Sequence, residues 1–477
     1  MKYAIYFFLL HSVICSQNSI NVIESDKLEQ TSINNQVCQK LSGNVLIDYS
    51  EMKIKIDTAI IYKDNTLLNG WGNVHIYNDS IDVKSDSISV LRDQGKIFFY
   101  NNVLFNTDTI NIETNHLEYD YLNKIVTYNQ GGKVKKNQNT ITSDILIYNA
   151  ITEESQFINN VISKQSNYNI YSKRIITNHN IIYFKDSSTV ETKDYIMHFN
   201  NGHHDNIKKI DLFKNVTMIN DKQIIKADLF SRDIVKNQNI FKQNISINID
   251  EEYYIYGHKL VQNKNHSNIS ENCKIVLINT NDSIIIKGDT ITINNQNDLL
   301  ITDNVTIKGK SIDGKCNTML FLNEINIIEM KENPILWFTN TQLTGDNILL
   351  YNKSNQLDSI YVPTNPFIIS KVDSVNYYNQ IKGTRLEGKI VDNRIQLLKI
   401  IGNAEMKFFQ KYLKKEKIGL NDIVASIINI DFKENKIYHI KCTKDIDSNY
   451  SEFHINGTQI GHERLYIEGF KEQSMEQ

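Results

Sequence analysis

A few stretches of this 477-residue chain hold residue types that chemistry can use. GKSIDGKC, Gly309 to Cys316, comes near the phosphate-binding loop pattern, with Gly309, Gly314 and Lys315 in place. Cys316 stands where a Mg²⁺-binding Ser or Thr belongs, and a strand-like run follows where a phosphate-cradling helix should begin. The segment reads as a turn between strands. NNGHHDN puts His203, His204 and Asp205 side by side. Neighbours on a strand face opposite ways, so they chelate one metal only if they lie in a loop, and a solvated turn is the simpler reading. The acid pairs Glu153-Glu154 and Glu251-Glu252 read as solvated turns, and the basic run KYLKKEK from Lys411 as a solvated loop. Neither a Gly-x-Ser-x-Gly elbow nor a His-Glu-x-x-His pair occurs. A carbohydrate-cutting β-helix would need carboxylates clustered on one face, and the sequence shows none. We therefore read the chain as non-enzymatic, with no cofactor and no metal.

Composition narrows the class further. The net charge of -3 gives no global pull toward nucleic acid. MKYAIYFFLLHSVICSQ places Lys2 before an apolar run from Tyr3 to Leu10, the layout of a short secretory signal peptide, here residues 1–16. That run is too short to span a bilayer as a helix. Acylation of Cys15 would make a lipoprotein, but Ile14 stands where that signal wants a small residue. Beyond Cys15, the cysteines are Cys38, Cys273, Cys316 and Cys442. Four thiols allow three pairings, and their spacing does not choose among these or the unpaired state.

What must position any function is a repeat. Val45, Val74, Val103, Val134, Val161, Val190, Val216, Ile245, Ile275 and Val305 each follow a short polar opening, often Gly-Asn or Asn-Asn. Their successive spacings are 29, 29, 31, 27, 29, 26, 29, 30 and 30 residues. About 12 residues after each anchor comes a second strand-like segment, often with Asp or Ser near its start, as around Asp57, Asp86, Asn115 and Asp144. In GWGNVHIYNDSIDVKSDSISV, Val74, Ile76, Ile81 and Val83 alternate with polar residues, so one face is apolar and the other wet. Gly72 and Asn73 suit a turn or bulge, because both tolerate positive φ. No proline occurs before Pro334, which suits long ladders. A unit of some 29 residues cannot bury its apolar face alone, so each predicted unit of two or three short strands must stack on its neighbours.

These openings, the "(T/S)-D-x-(L/I)-x-Y" second strands and the linking "N-K/G-x-(F/Y)" resemble the OstA-like family, most of all its larger proteins of the Bacteroidetes type. The resemblance rests on GNVLIDYSEMKIKIDTAIIYKDNTLLNGWGNVHI from Gly43 and SDSISVLRDQGKIFFYNNVLF from Ser85. Weaker likeness continues through LDSIYVPTNPFIISK from Leu357, IKGTRLEGKIVDNRIQLLKIIGNAEMKFF from Ile381 and ASIINIDFKENKIYHIKC from Ala425. The family includes the periplasmic lipopolysaccharide-transport bridge protein and the N-terminal domain of the outer-membrane lipopolysaccharide-assembly protein. The resemblance implies an all-β fold: an elongated, repeat-built β-jellyroll in one module or two consecutive ones, open along one side. It implies an interior that shelters the acyl chains of lipid A.

The expectations are then concrete. Residues 37–330 form the main jellyroll array and 331–470 a C-terminal module of the same kind. Val45, Ile47, Val74, Ile76, Ile81, Val83, Val103 and Phe105 face the lipid or its supporting core. The chain binds or bridges lipopolysaccharide or a related lipid in outer-membrane assembly. It works in the periplasm, alone or against the outer membrane. Its partners are other jellyroll transport proteins, joined by edge-strand pairing, and an outer-membrane translocon; nucleic acid is not among them. The alternative is a secreted β-solenoid adhesin or structural surface protein.

Overall fold

A computed structural model of the chain describes residues 20–473, apart from 63–65, 137–138, 250–252, 279–282, 311, 339–340, 354–355, 373–376, 392–393, 413–416, 434–435 and 455–464. The signal peptide, Cys15, the acids Glu251 and Glu252 and most of the KYLKKEK run lie outside the described residues. What is described is almost entirely strand, joined by tight turns and two single 3-10 turns at Arg92–Gln94 and Asn323–Ile325. The all-β expectation holds. Every strand pairing given a register is antiparallel, where a β-solenoid would stack its rungs in parallel.

The chain divides into two compact units, Met1–Lys209 and Ile210–Gln477. In the first, Gln36–Tyr49, Met52–Tyr62, Leu67–Tyr77, Asp82–Leu91, Lys96–Asn106 and Asn111–Asp120 form one meander. Two such strands make one sequence repeat. The second unit follows the same plan from Ile210–Ile219 through Asp313–Leu322. The ladder then continues without interruption across Pro334, because Asp313–Leu322 pairs with both Ile327–Lys331 and Ile335–Phe338. The sequence-based module boundary at 330/331 lies inside that pairing.

The repeated Asn has a mechanical purpose. Ser42 pairs with Thr58, but Val45 pairs with Ile56, so the strand carries one extra residue between them. Gly43 and Asn44 absorb it at φ of 78° and 46°. The same offset recurs before Val74, Val103, Val161, Ile245 and Val305. Each is a β-bulge, which bends a strand and sharpens its twist. Glycine suits 43 and 72, where a Cβ would meet the Asp26 and Asp57 carboxylates within 2.3 and 2.6 Å. What the sequence offers as two short strands is therefore one long strand kinked in the middle.

An Asp of the preceding strand serves most of these kinks. Asn44 Nδ2 donates to Asp26 at 3.1 Å, Asn73 to Asp57 at 2.8 Å, Asn102 to Asp86 at 2.9 Å and Asn160 to Asp144 at 2.8 Å. The second unit repeats the pair at Asn244–Asp228, Asn304–Asp289 and Asn365–Asp346. Each side-chain amide ties the bulge to the strand before it.

Near the chain's end, residues 465–473 lie across the outer face of a half-sheet in the second unit. Buried Gln380 takes the Leu465 carbonyl and the Ile467 amide, and buried Gln342 takes the Lys471 carbonyl and the Gln473 amide. Each glutamine thus imitates a neighbouring strand.

Candidate functional site: an apolar slot between half-sheets

Bulges recurring at the same place along the meander fold it into two half-sheets whose apolar faces meet. Three contacts in the first unit show it. Phe105, beyond one bulge, packs edge-on against Tyr119 of the other half at a centroid distance of 5.7 Å. Thr109, in the turn after Phe105, lies 3.3 Å from the Tyr148 hydroxyl of the opposite half. Tyr49 and Tyr121, each at the tip of a half-sheet away from the bulges, stack edge-on at 5.7 Å and share a 2.6 Å hydroxyl hydrogen bond. The bulges form one side of a slot, and these tyrosines close the other.

All eight residues expected inside are buried. Val45, Ile47, Val74, Ile76, Ile81, Val83, Val103 and Phe105 are each at most 5% exposed. Val74 and Ile76 occupy the inner face beyond one bulge, and Val83 pairs with both Ile76 and Phe105, so the structure brings these together. Of the ten anchors, Val190 alone is only half-buried. In this unit the chain's own rings, among them Phe99, Phe105 and Tyr128, are buried in the interior.

The polar fittings of the slot are few and satisfied. Burial pushes the Tyr119 and Tyr128 phenols up to about 12, and Tyr128 shares a 2.7 Å bond with Ser143. Tyr49 is raised as well, first by burial and then by its bond to Tyr121. Burial also raises the Cys273 and Cys316 thiols, to about 11 and 12, so both are poor nucleophiles. Cys38, Cys273, Cys316 and Cys442 are all unpaired.

In the second unit the slot is not full. A cavity of about 100 Å³ opens between Tyr253, Leu277, Ile284, Ile286 and Ile307 on one half and Met319, Phe321, Ile328 and Leu350 on the other. Asn323 and Asn352 edge it, and Asn323 Nδ2 reaches the Tyr253 hydroxyl at 3.4 Å across the mouth. Leu277 and Ile284 are half-buried. No sequence signal marked this cavity, because its walls lie more than 100 residues apart, as Tyr253 and Leu357 do.

The other chemical candidates resolve as local structure. Gly314, Lys315 and Cys316 lie within the strand Asp313–Leu322, and the Lys315 ammonium sits over the Trp337 ring at 5.6 Å. His203, His204 and Asp205 belong to the strand Asn201–Asp205; His204 bonds Asn206 and Asp205 caps the Ile207 and Lys208 amides. Glu153 lies in a turn, 3.1 Å from His179. Among the described residues, no three His, Cys, Asp or Glu side chains gather as a metal site.

Comparison with known proteins adds one match. Residues 17–173 match the family described as OstA-like protein. A search of curated proteins gave no match.

Proposed function

From the match of residues 17–173 to the OstA-like family, we propose that the chain is a non-enzymatic carrier or bridge for lipopolysaccharide, acting outside the cytoplasm in outer-membrane assembly. The observation that carries the reading is the apolar slot between half-sheets, with its cavity in the second unit. A lipid crossing water exposes acyl chains at about 0.8 kcal/mol per CH₂, so a carrier needs an apolar trough that can take a chain lengthwise. The chain supplies such a trough, lined by alternating aliphatics and bounded by a non-covalent seam of tyrosine and asparagine. Acyl chains enter by parting that seam, starting where Leu277 and Ile284 already reach the surface.

Edge pairing supplies the bridge. Among the described residues, the strands Asn21–Glu24 and Lys27–Ile33 pair only with Gln36–Tyr49, and Lys436–Thr443 and Asp447–His454 only with Lys417–Lys433. Each leaves one backbone edge open to another sheet. Another jellyroll protein or an outer-membrane translocon is the partner such an edge takes.

Titration of the purified full chain with lipopolysaccharide tests the proposal. Saturable binding is expected, and Ile284→Asp at the cavity mouth should weaken it at least ~10-fold while the far-ultraviolet spectrum stays that of a β protein. A folded Ile284→Asp variant that binds as tightly as the wild type would remove the slot from the account.

A further inference from the structure

The outer face of the second unit carries a feature that the slot does not use. Across seven consecutive strands, from Gln223–Asp233 to Asp313–Leu322, Lys226, Ser246, Tyr256, Lys274, Lys287, Thr306 and Lys315 stand directly opposite one another. At about 4.8 Å per strand, this row runs on the order of 29 Å. Lys274 and Lys287 are immediate cross-strand neighbours, an arrangement that costs stability unless an anion intervenes. Lys274 leans over the Tyr256 ring at 4.6 Å, and no carboxylate among the described residues pairs with Lys226, Lys274, Lys287 or Lys308. The nearby acids stand at the bulges rather than in the row: Asp228 accepts from Asn244, Asp289 accepts from Asn304, and Glu271 and Asp289 edge the concavity over Lys274 and Lys287.

The corresponding row of the first unit differs. There Lys55, His75 and Lys84 run toward Glu113, which pairs with Lys133 and Lys135, and His75 bonds Asp82 at 2.8 Å. That row holds an acid among its lysines, and the row of the second unit holds none.

The row beside the lysines is mostly apolar and aromatic. Ile224, Asn248, Tyr254, Val276 and Ile285 follow one another on the same outer face, with Lys308 next and Asp313 at the far end. Tyr254, Val276 and Ile285 are half-buried and Ile224 is exposed. An open concavity of about 860 Å³ lies over Lys274 and Lys287. A stripe of lysines beside a stripe of aliphatics and tyrosines matches the two layers of a bilayer surface, with phosphates above and the acyl boundary below.

We propose that this face docks the second unit onto a bilayer bearing anionic phospholipid headgroups. Lys226, Lys274, Lys287 and Lys308 meet the phosphates, and Ile224, Tyr254, Val276 and Ile285 rest at the headgroup boundary. The chain-wide charge of -3 conceals the site, because the lysines are gathered by pairing rather than by sequence. The inference does not depend on lipopolysaccharide as cargo.

Co-sedimentation of the full chain with vesicles free of lipopolysaccharide decides it. Vesicles of phosphatidylglycerol and phosphatidylethanolamine should bind the protein at low salt, release it in high salt, and exceed phosphatidylcholine vesicles throughout. Lys274→Glu/Lys287→Glu should weaken partitioning ~10-fold or more, and the milder Lys287→Gln/Lys308→Gln pair several-fold, whereas Lys55→Glu/Lys84→Glu in the first unit should leave it unchanged. Equal partitioning of all variants, no binding to anionic vesicles, or binding to heparin without binding to vesicles would each overturn the proposal.

Discussion

The tyrosines are the residues on which the slot turns. Tyr49, Tyr119 and Tyr128 carry phenols whose neutral forms the folded chain favours, because burial penalises the phenolate. Their pKa values rise on folding, so the native state keeps protons that the unfolded chain gives up above about pH 10. The stabilisation is complete below that value and is lost as pH climbs toward about 12. The urea midpoint of the full chain should stay level between pH 8 and 9 and fall steeply above 10. Tyr119→Phe keeps the ring and removes the titration, so its decline should be shallower; an identical pH profile would show that this phenol has no part in the loss. Sequence inspection did not find the Tyr49–Tyr121 seam, since 72 residues separate its halves and only the doubling of the meander brings them together.

At the scale of the element, the bulge is the unit of construction. Asn73 is held at a φ of 46° and donates to Asp57. A β-branched residue resists the left-handed region, so Asn73→Val should cost about 1–2 kcal/mol in chemical denaturation. Asn73→Gly keeps the conformation and loses only the bond to Asp57, so its loss should be smaller. Equal losses would mean that the hydrogen bond, and not the backbone, sets the kink. Much of this element was legible from sequence. Gly72-Asn73 pointed to a turn or bulge, and the alternation around Val74 gave the inner face correctly. The partner of each Asn was not legible, because Asp57 and Asn73 belong to different repeats by the anchor count and meet only across a strand pair. Nor was strand continuity: a polar Gly-Asn step looks like an ending, yet the ladder resumes one residue out of register.

At the scale of the molecule, two units repeat one design with different outcomes. Residues 20–209 bring Tyr49 and Tyr121 edge-on across the slot, and residues 210–473 hold a cavity with a half-exposed aliphatic mouth. The basic row belongs to the same unit as the open mouth, so the proposed cargo entry and the proposed membrane docking fall on one body. The lysines of that row escaped sequence analysis because 48, 13 and 28 residues separate Lys226, Lys274, Lys287 and Lys315. The central claim is that acyl chains occupy the slot in living cells, and site-specific photo-crosslinking tests it most directly. A crosslinker at Leu277, at the slot's mouth, should capture lipopolysaccharide, while one at Lys84, on the outer face of the first unit, should not. Capture from neither position, or equally from both, would contradict the account.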